Sequence, residues 1–88
     1  MRADMELCPI LRQVADDRRV VEVKGNTVAE CLNDASGQFP RLKEWISSAS
    51  GISLVVVRVN GEVVRRQDFS RRVADGDELK LNALPGNG

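Results

Sequence analysis

The sequence predicts an α+β fold in which a mixed sheet of four to five strands packs on one main helix, with a short second helix beside it. Three observations carry this expectation. Arg19 to Lys24 and Glu78 to Ala83 alternate apolar and polar residues with a period of two, as half-buried strands do. Thr27-Val28-Ala29-Glu30 has the form of a capping box, and Val28, Cys31, Leu32 and Ala35 then follow at helical spacing. Leu54 to Val59 is a nearly continuous β-branched run that ends on Asn60-Gly61, a strong hairpin-turn pair.

In chain order, Met5 to Val14 reads as a first strand interrupted by Pro9, and Asp16-Asp17 as a polar turn. Arg19 to Lys24 returns as the second strand of an antiparallel hairpin, with Val21 and Val23 on one face and Glu22 and Lys24 on the other. Gly25-Asn26 ends the hairpin, Thr27 caps the main helix, and Gly37 offers it a stop. Phe39-Pro40 opens a shorter helix whose apolar side is Leu42, Trp45 and Ile46, with the lone tryptophan read as a core residue. Ser47 to Gly51 is a small-residue loop. Leu54 to Val59, the turn, and Glu62 to Arg66 form a second hairpin with a short return. Asp75-Gly76-Asp77 turns the chain into the last strand, Glu78 to Ala83.

Composition narrows the function classes. With 88 residues there is one domain, expected to span 1–84 with a tail over 85–88. Thirteen basic residues balance thirteen acidic ones, which argues against a nucleic-acid partner. The pairs Arg65-Arg66 and Arg71-Arg72 read as solvated turns or as a docking patch for an acidic partner. No apolar run reaches the roughly 20 residues that cross a membrane, and the charged start carries no signal-peptide pattern, so a cytoplasmic protein is expected. There is no histidine. That removes Ser-His and Cys-His nucleophile pairs, and Cys8 and Cys31 alone make no usual zinc site. Asp75 and Asp77 lack the further oxygen ligands of a calcium loop.

Several segments together resemble the small sulfur-carrier proteins, which are ubiquitin-like β-grasp domains. Cys8-Pro9-Ile10-Leu11-Arg12 resembles their Pro-x-Leu-Arg step, and Lys24-Gly25-Asn26-Thr27-Val28-Ala29-Glu30 their helix start. Phe39-Pro40-Arg41-Leu42 resembles their aromatic-Pro-x-Leu step. Val55-Val56-Val57-Arg58-Val59-Asn60-Gly61-Glu62 resembles their strand and turn, and Asp75-Gly76-Asp77-Glu78 their entry to the last strand. The likeness covers nearly the whole chain. It leans toward the molybdopterin-synthase small subunit and the cysteine-pathway carrier, with the thiamine-pathway carrier as a further relative.

This resemblance implies a carrier rather than an enzyme. The carboxylate of Gly88 would be adenylated by an E1-like enzyme, converted to a thiocarboxylate, and spent by a sulfur-acceptor synthase. A sulfurtransferase is a further implied partner. The chain itself would bind no cofactor, ATP and Mg²⁺ belonging to the activating enzyme. Pro85, Gly86 and Asn87 would form the tail that threads the partner's channel. Relatives end in Gly-Gly, and Asn87 departs from that pattern. The departure keeps open a second reading, a β-grasp interaction module or ubiquitin-like modifier without thiocarboxylate chemistry. Sheet parity supplies the docking surface. If Val55, Val57 and Val59 face the helix, then Leu54, Val56 and Arg58 face outward, with Val20, Glu22, Lys24, Lys80 and Asn82 on the same face.

Overall fold

A computed structural model describes residues 2–46 and 55–83 of the chain. Its elements are β1 (Arg2–Leu7), α1 (Pro9–Arg12), β2 (Val20–Lys24), α2 (Val28–Gln38), α3 (Pro40–Ile46), β3 (Val55–Val59), β4 (Glu62–Val64), a 3-10 turn (Arg66–Asp68) and β5 (Glu78–Ala83). Five strands form one mixed sheet in the order β2-β1-β5-β3-β4. β1 runs parallel to β5, and every other neighbouring pair is antiparallel. This is the β-grasp arrangement. One face of the sheet carries Ala3, Met5, Leu7, Val21, Val23, Val55, Val57, Val59, Val64, Leu79 and Leu81 into a core shared with Val28, Cys31, Leu32 and Ala35 of α2.

The first strand is shorter than the sequence pattern suggests. Strand geometry stops at Leu7, and Pro9 begins the single helical turn of α1 instead of interrupting a longer strand. A proline has no N–H to give a ladder, whereas the first position of a helix needs none. The motif that follows is structural: Leu11 is fully buried, and Arg12 Nε donates to the Leu7 carbonyl at 2.9 Å. Asp16 and Asp17 complete the link to β2 with φ of 54° and 59°, a region that Asp tolerates better than most residues.

Gly37 does not end the main helix. α2 continues through Gln38, and its stop is Phe39, held extended at φ −132° and ψ 94°. The following Pro40 excludes helical geometry from the residue before it, and this outweighs a glycine whose surroundings permit either conformation. The helix start is as the capping box predicts. Thr27 Oγ1 accepts from the Glu30 N–H at 3.2 Å, and Glu30 Oε1 accepts from the Asn26 N–H at 2.8 Å. Two further α2 donors, Val28 and Ala29, reach the carbonyls of Arg71 and Phe69. On α3 only Leu42 is fully buried; Trp45 and Ile46 pack half-buried against the core edge. The loop expected over Ser47 to Gly51 lies outside the described residues.

The return strand also ends early. β4 stops at Val64, and Arg66–Asp68 tightens into a 3-10 turn. Asn60 and Gly61 make the expected hairpin turn with φ of 50° and 87°. Asn60 has a second role that its sequence neighbours do not announce. Its Oδ1 accepts from the Glu78 N–H at 2.9 Å, and its Nδ2 donates to Asp77 Oδ1 at 3.2 Å. The β3–β4 turn is thereby locked to the turn that starts β5.

The outer edge of the sheet at β2 is closed by α2. Lys24 N–H donates to Asp34 Oδ2, and Gln38 Nε2 donates to both the Glu22 carbonyl and Asp34 Oδ2, each at 3.0 Å. These side chains occupy backbone groups that would otherwise invite another strand.

Two stability predictions follow from local geometry. A Cβ at Gly25 would lie 2.7 Å from Glu30 Cβ and 2.8 Å from the Cys31 amide nitrogen, whereas one at Gly37 meets nothing within 4 Å. Urea melts should therefore show Gly25→Ala destabilised by about 1–3 kcal/mol and Gly37→Ala stabilised by up to about 1 kcal/mol. The second concerns Asp77. Hydrogen bonds from the Ala74 N–H and the Asn60 amide hold its carboxyl below the ordinary value of 3.8. A lowered native pKa contributes stability above that ordinary value and loses it as pH falls through the lowered one. Melts across acid pH should show a shallower acid-side loss for Asp77→Asn than for the unmodified chain.

Candidate functional site

Strand parity leaves the sheet with a second face that no helix among the described residues covers. Val55, Val57 and Val59 are buried, while Val56 and Arg58 between them are half-exposed on the opposite side, as parity predicts. Leu54 and the tail residues Pro85, Gly86, Asn87 and Gly88 lie outside the described residues. Val20, Glu22, Lys24 and Lys80 are exposed on this outer face, and Asn82 is half-exposed.

The register arranges these side chains in rows across the strands. One row reads Val20, Glu6, Lys80, Arg58, Val63 from β2 to β4. Lys80 Nζ lies 3.8 Å from Glu6 Oε2, and Arg58 Nη1 donates to Asn82 Oδ1 at 3.3 Å. The Lys80–Glu6 pair is exposed and of small worth to the fold, whereas the Arg58–Asn82 bond is partly buried. The next row holds three carboxylates, Glu22, Asp4 and Glu78, directly opposite one another. Like charges placed this way are unfavourable within a sheet. Toward the end of β5 lies Val56, paired with Asn82. The face is therefore a mosaic: the Arg2–Lys24 pair at one pole, an acidic bar beside it, a basic centre, and apolar residues at the edges and toward Ala83.

Two further exposed apolar residues were not among those singled out in the sequence. Val63 is 57% exposed and sits opposite Arg58; Ile10 is 53% exposed on α1, which packs against β5. Val63 was legible from parity, since its strand pairs with β3. Ile10 was hidden by reading its segment as strand.

The chemistry available here is that of docking. The depression lined by Glu6, Val20, Arg58, Gly61 and Lys80 has a volume of about 230 Å³, and a second beside Arg2 and the carboxylate row about 320 Å³, at or below the lower end of the roughly 300–1,000 Å³ of small-molecule pockets. Among the described residues no group of three or more His, Cys, Asp or Glu side chains could hold a metal ion, and no helix is long and apolar enough to cross a membrane. Cys31 is buried, and burial first, then the Asp34 and Glu30 carboxylates, push its thiol pKa up, which keeps it protonated and unreactive. Cys8 is half-buried at the end of β1, where its Sγ accepts from the Ala83 N–H at 3.4 Å. It thus braces the last described residue of β5.

Comparison with known proteins gives these features a context. The ThiS family profile matches residues 6–81. No curated protein sequence matches the chain. Among solved structures, the chain is similar to the small archaeal modifier protein SAMP1 of Haloferax volcanii, at 27% identity and a TM-score of 0.84, with all of both chains covered. It is similar to a chain of the BexX/CysO complex of Amycolatopsis orientalis, at 27% identity and a TM-score of 0.80, over 98% of this chain and 99% of that one. CysO of Mycobacterium tuberculosis shares the fold at 23% identity and a TM-score of 0.80, over 97% and 99% of the two chains.

The parity of β3 yields a direct test. Val57→Asp places a charge in the core, a cost of several kcal/mol against a total stability of about 5–15 kcal/mol. Circular dichroism melts should show Val57→Asp unfolded or strongly destabilised, and Val56→Asp within about 1 kcal/mol of the unmodified chain.

Proposed function

The chain belongs to the ThiS family, and from that premise we propose that it is a sulfur carrier acting through its C-terminal carboxylate. The Gly88 carboxylate attacks the α-phosphorus of ATP on an E1-like adenylating enzyme, and pyrophosphate leaves. Hydrosulfide then attacks the acyl carbon and displaces AMP to give a thiocarboxylate; a sulfurtransferase persulfide would instead displace AMP to give an acyl disulfide, which a second thiol cleaves to the thiocarboxylate with a disulfide as co-product. A sulfur-acceptor synthase in cofactor or cysteine biosynthesis consumes it. ATP and Mg²⁺ are held by the activating enzyme, and this chain supplies no acid, base or nucleophile.

The observation that supports this reading most directly is the position of β5. It is the central strand, so Ala83, the last described residue, stands in the middle of the sheet, beside Asn82 and that residue's partner Val56. A partner seated on the outer face, gripping Val56 and the Arg58–Lys80 centre, would have residues 84–88 beside its own active site. Pro85, Gly86 and Asn87 would be the segment that threads in. The BexX/CysO complex supports a protein partner for a domain of this shape.

Asn87 favours one rival: a ubiquitin-like modifier or interaction module that docks by the same face without forming a thiocarboxylate. The two part in a single experiment. Intact-mass spectrometry after incubation with the host's E1-like enzyme, ATP and sulfide should show a gain of one sulfur-for-oxygen exchange. Deleting Gly88 should abolish the gain, and Val56→Asp should reduce it while leaving the melt unchanged. No gain for this chain, alongside conversion of a Gly-Gly-ended carrier and of the Asn87→Gly variant, would overturn the carrier reading in favour of the module.

A further inference from the structure

The arginine pairs Arg65-Arg66 and Arg71-Arg72 take no part in the outer face or the tail. They lie on the segment between β4 and Val73, and backbone bonds fix that segment to the start of α2. Val28 and Ala29 donate to the carbonyls of Arg71 and Phe69 at 3.0 and 2.9 Å, and Val73 donates to Asn26 at 2.9 Å. Asp68 to Arg65 and Arg71 to Asp68, at 2.8 and 3.0 Å, close the segment's own turns. The first N–H groups of α2 are thus already engaged and are not an anion site. The four arginine side chains are exposed on a fixed backbone, which lowers the ordering cost of any contact they make.

Beside them lies a groove of about 190 Å³ between α2, α3 and the 3-10 turn. Leu32 forms its floor, half-buried Ile46 and Phe69 its walls, and exposed Lys43 and Arg66 its rim. No carboxylate stands among its described lining residues. The adjoining run from Arg65 to Arg72 holds four arginines against one aspartate in a chain of zero net charge. Glu62 pairs with Arg71 at 3.2 Å in an exposed contact of small worth. The run beside the groove therefore carries a local excess of positive charge, while the carboxylate row of Glu22, Asp4 and Glu78 lies on the far face of the sheet.

We propose that this groove is a second docking site, for an acidic polypeptide segment carrying an apolar anchor. The anchor sits against Leu32, Ile46 and Phe69, and flanking carboxylates meet Lys43 and Arg66, with the remaining arginines steering the approach. A nucleic acid is a poorer fit, because Phe69 is half-buried against the core and offers no free ring for base stacking. Since the groove is on the helix side, it can be filled while the outer sheet face is occupied. The chain would then bridge two proteins.

The test titrates the ¹⁵N-labelled full chain with a fluorescein-labelled peptide in which leucine and phenylalanine lie between runs of glutamate. The expected result is saturable binding with shift changes concentrated at Leu32, Lys43, Ile46 and Phe69. Affinity should fall about tenfold or more when glutamines replace the glutamates, and similarly in the double variant Lys43→Glu with Arg66→Glu. That variant should keep its melt and its sulfur-for-oxygen mass gain. Equal affinity for the glutamine peptide, shifts centred on the outer face, or tighter binding of a single-stranded RNA oligonucleotide would each overturn the proposal.

Discussion

The parallel pairing of β1 with β5 is the contact on which the rest of the molecule depends. It joins residues 4–7 to residues 78–81, so almost the whole chain is the loop that this pairing closes. Closing so long a loop is entropically unfavourable, and parallel ladders are slightly weaker per residue than antiparallel ones. The offset comes from the core side of the same strands, where Met5, Leu7, Leu79 and Leu81 are all 0–1% exposed. Each such side chain contributes about 1.5–3 kcal/mol on burial. With β1 and β5 in the middle, the two hairpins take the flanks and α2 crosses the one face left to it. The free face of the sheet follows from the same arrangement.

Much of this was legible because single residues carry unambiguous signals. Asn60-Gly61 admits little besides a tight hairpin turn, and Thr27 with Glu30 fixes the start of α2. The alternation over Val55 to Val59 settles which residues face the core, and so which side of β3 is left outside it. Where structure and pattern differ, the cause is shared: a local signal is outweighed by its neighbour. Gly37 looked like a stop only when Pro40 was not allowed to dictate the geometry of Phe39. Met5 to Val14 looked like a strand because alternation and helical spacing coincide over so short a stretch, so Ile10 was missed as a surface residue. The strand pairing itself, and with it the carboxylate row and the Lys80–Arg58 centre, depends on contacts between distant segments. No local pattern encodes them.

The two sides of the molecule show how a neutral chain can still be strongly patterned. Equal numbers of acidic and basic residues argued against a nucleic-acid partner, and that argument concerns only the sum. Folding sorts the charges: three carboxylates align on the outer sheet face, and the Arg65 to Arg72 run gathers on the helix side. The unfavourable carboxylate row is tolerated where it faces water, and it would be relieved by a partner bringing cations.

The placement of β1 and β5 also has a mechanical consequence. Parallel neighbours start at the same pole, so the chain enters β1 at one pole of the sheet and leaves β5 at the other, a strand length of about 20 Å away. A pull on the residues beyond Ala83 against the start of the chain therefore loads the β1–β5 ladder in shear, with all its bonds strained together. A hairpin pulled at its open end yields one bond at a time. Tension on the tail should thus meet a high unfolding barrier, and an enzyme that draws the tail into its channel would hold a domain that resists being dragged in after it.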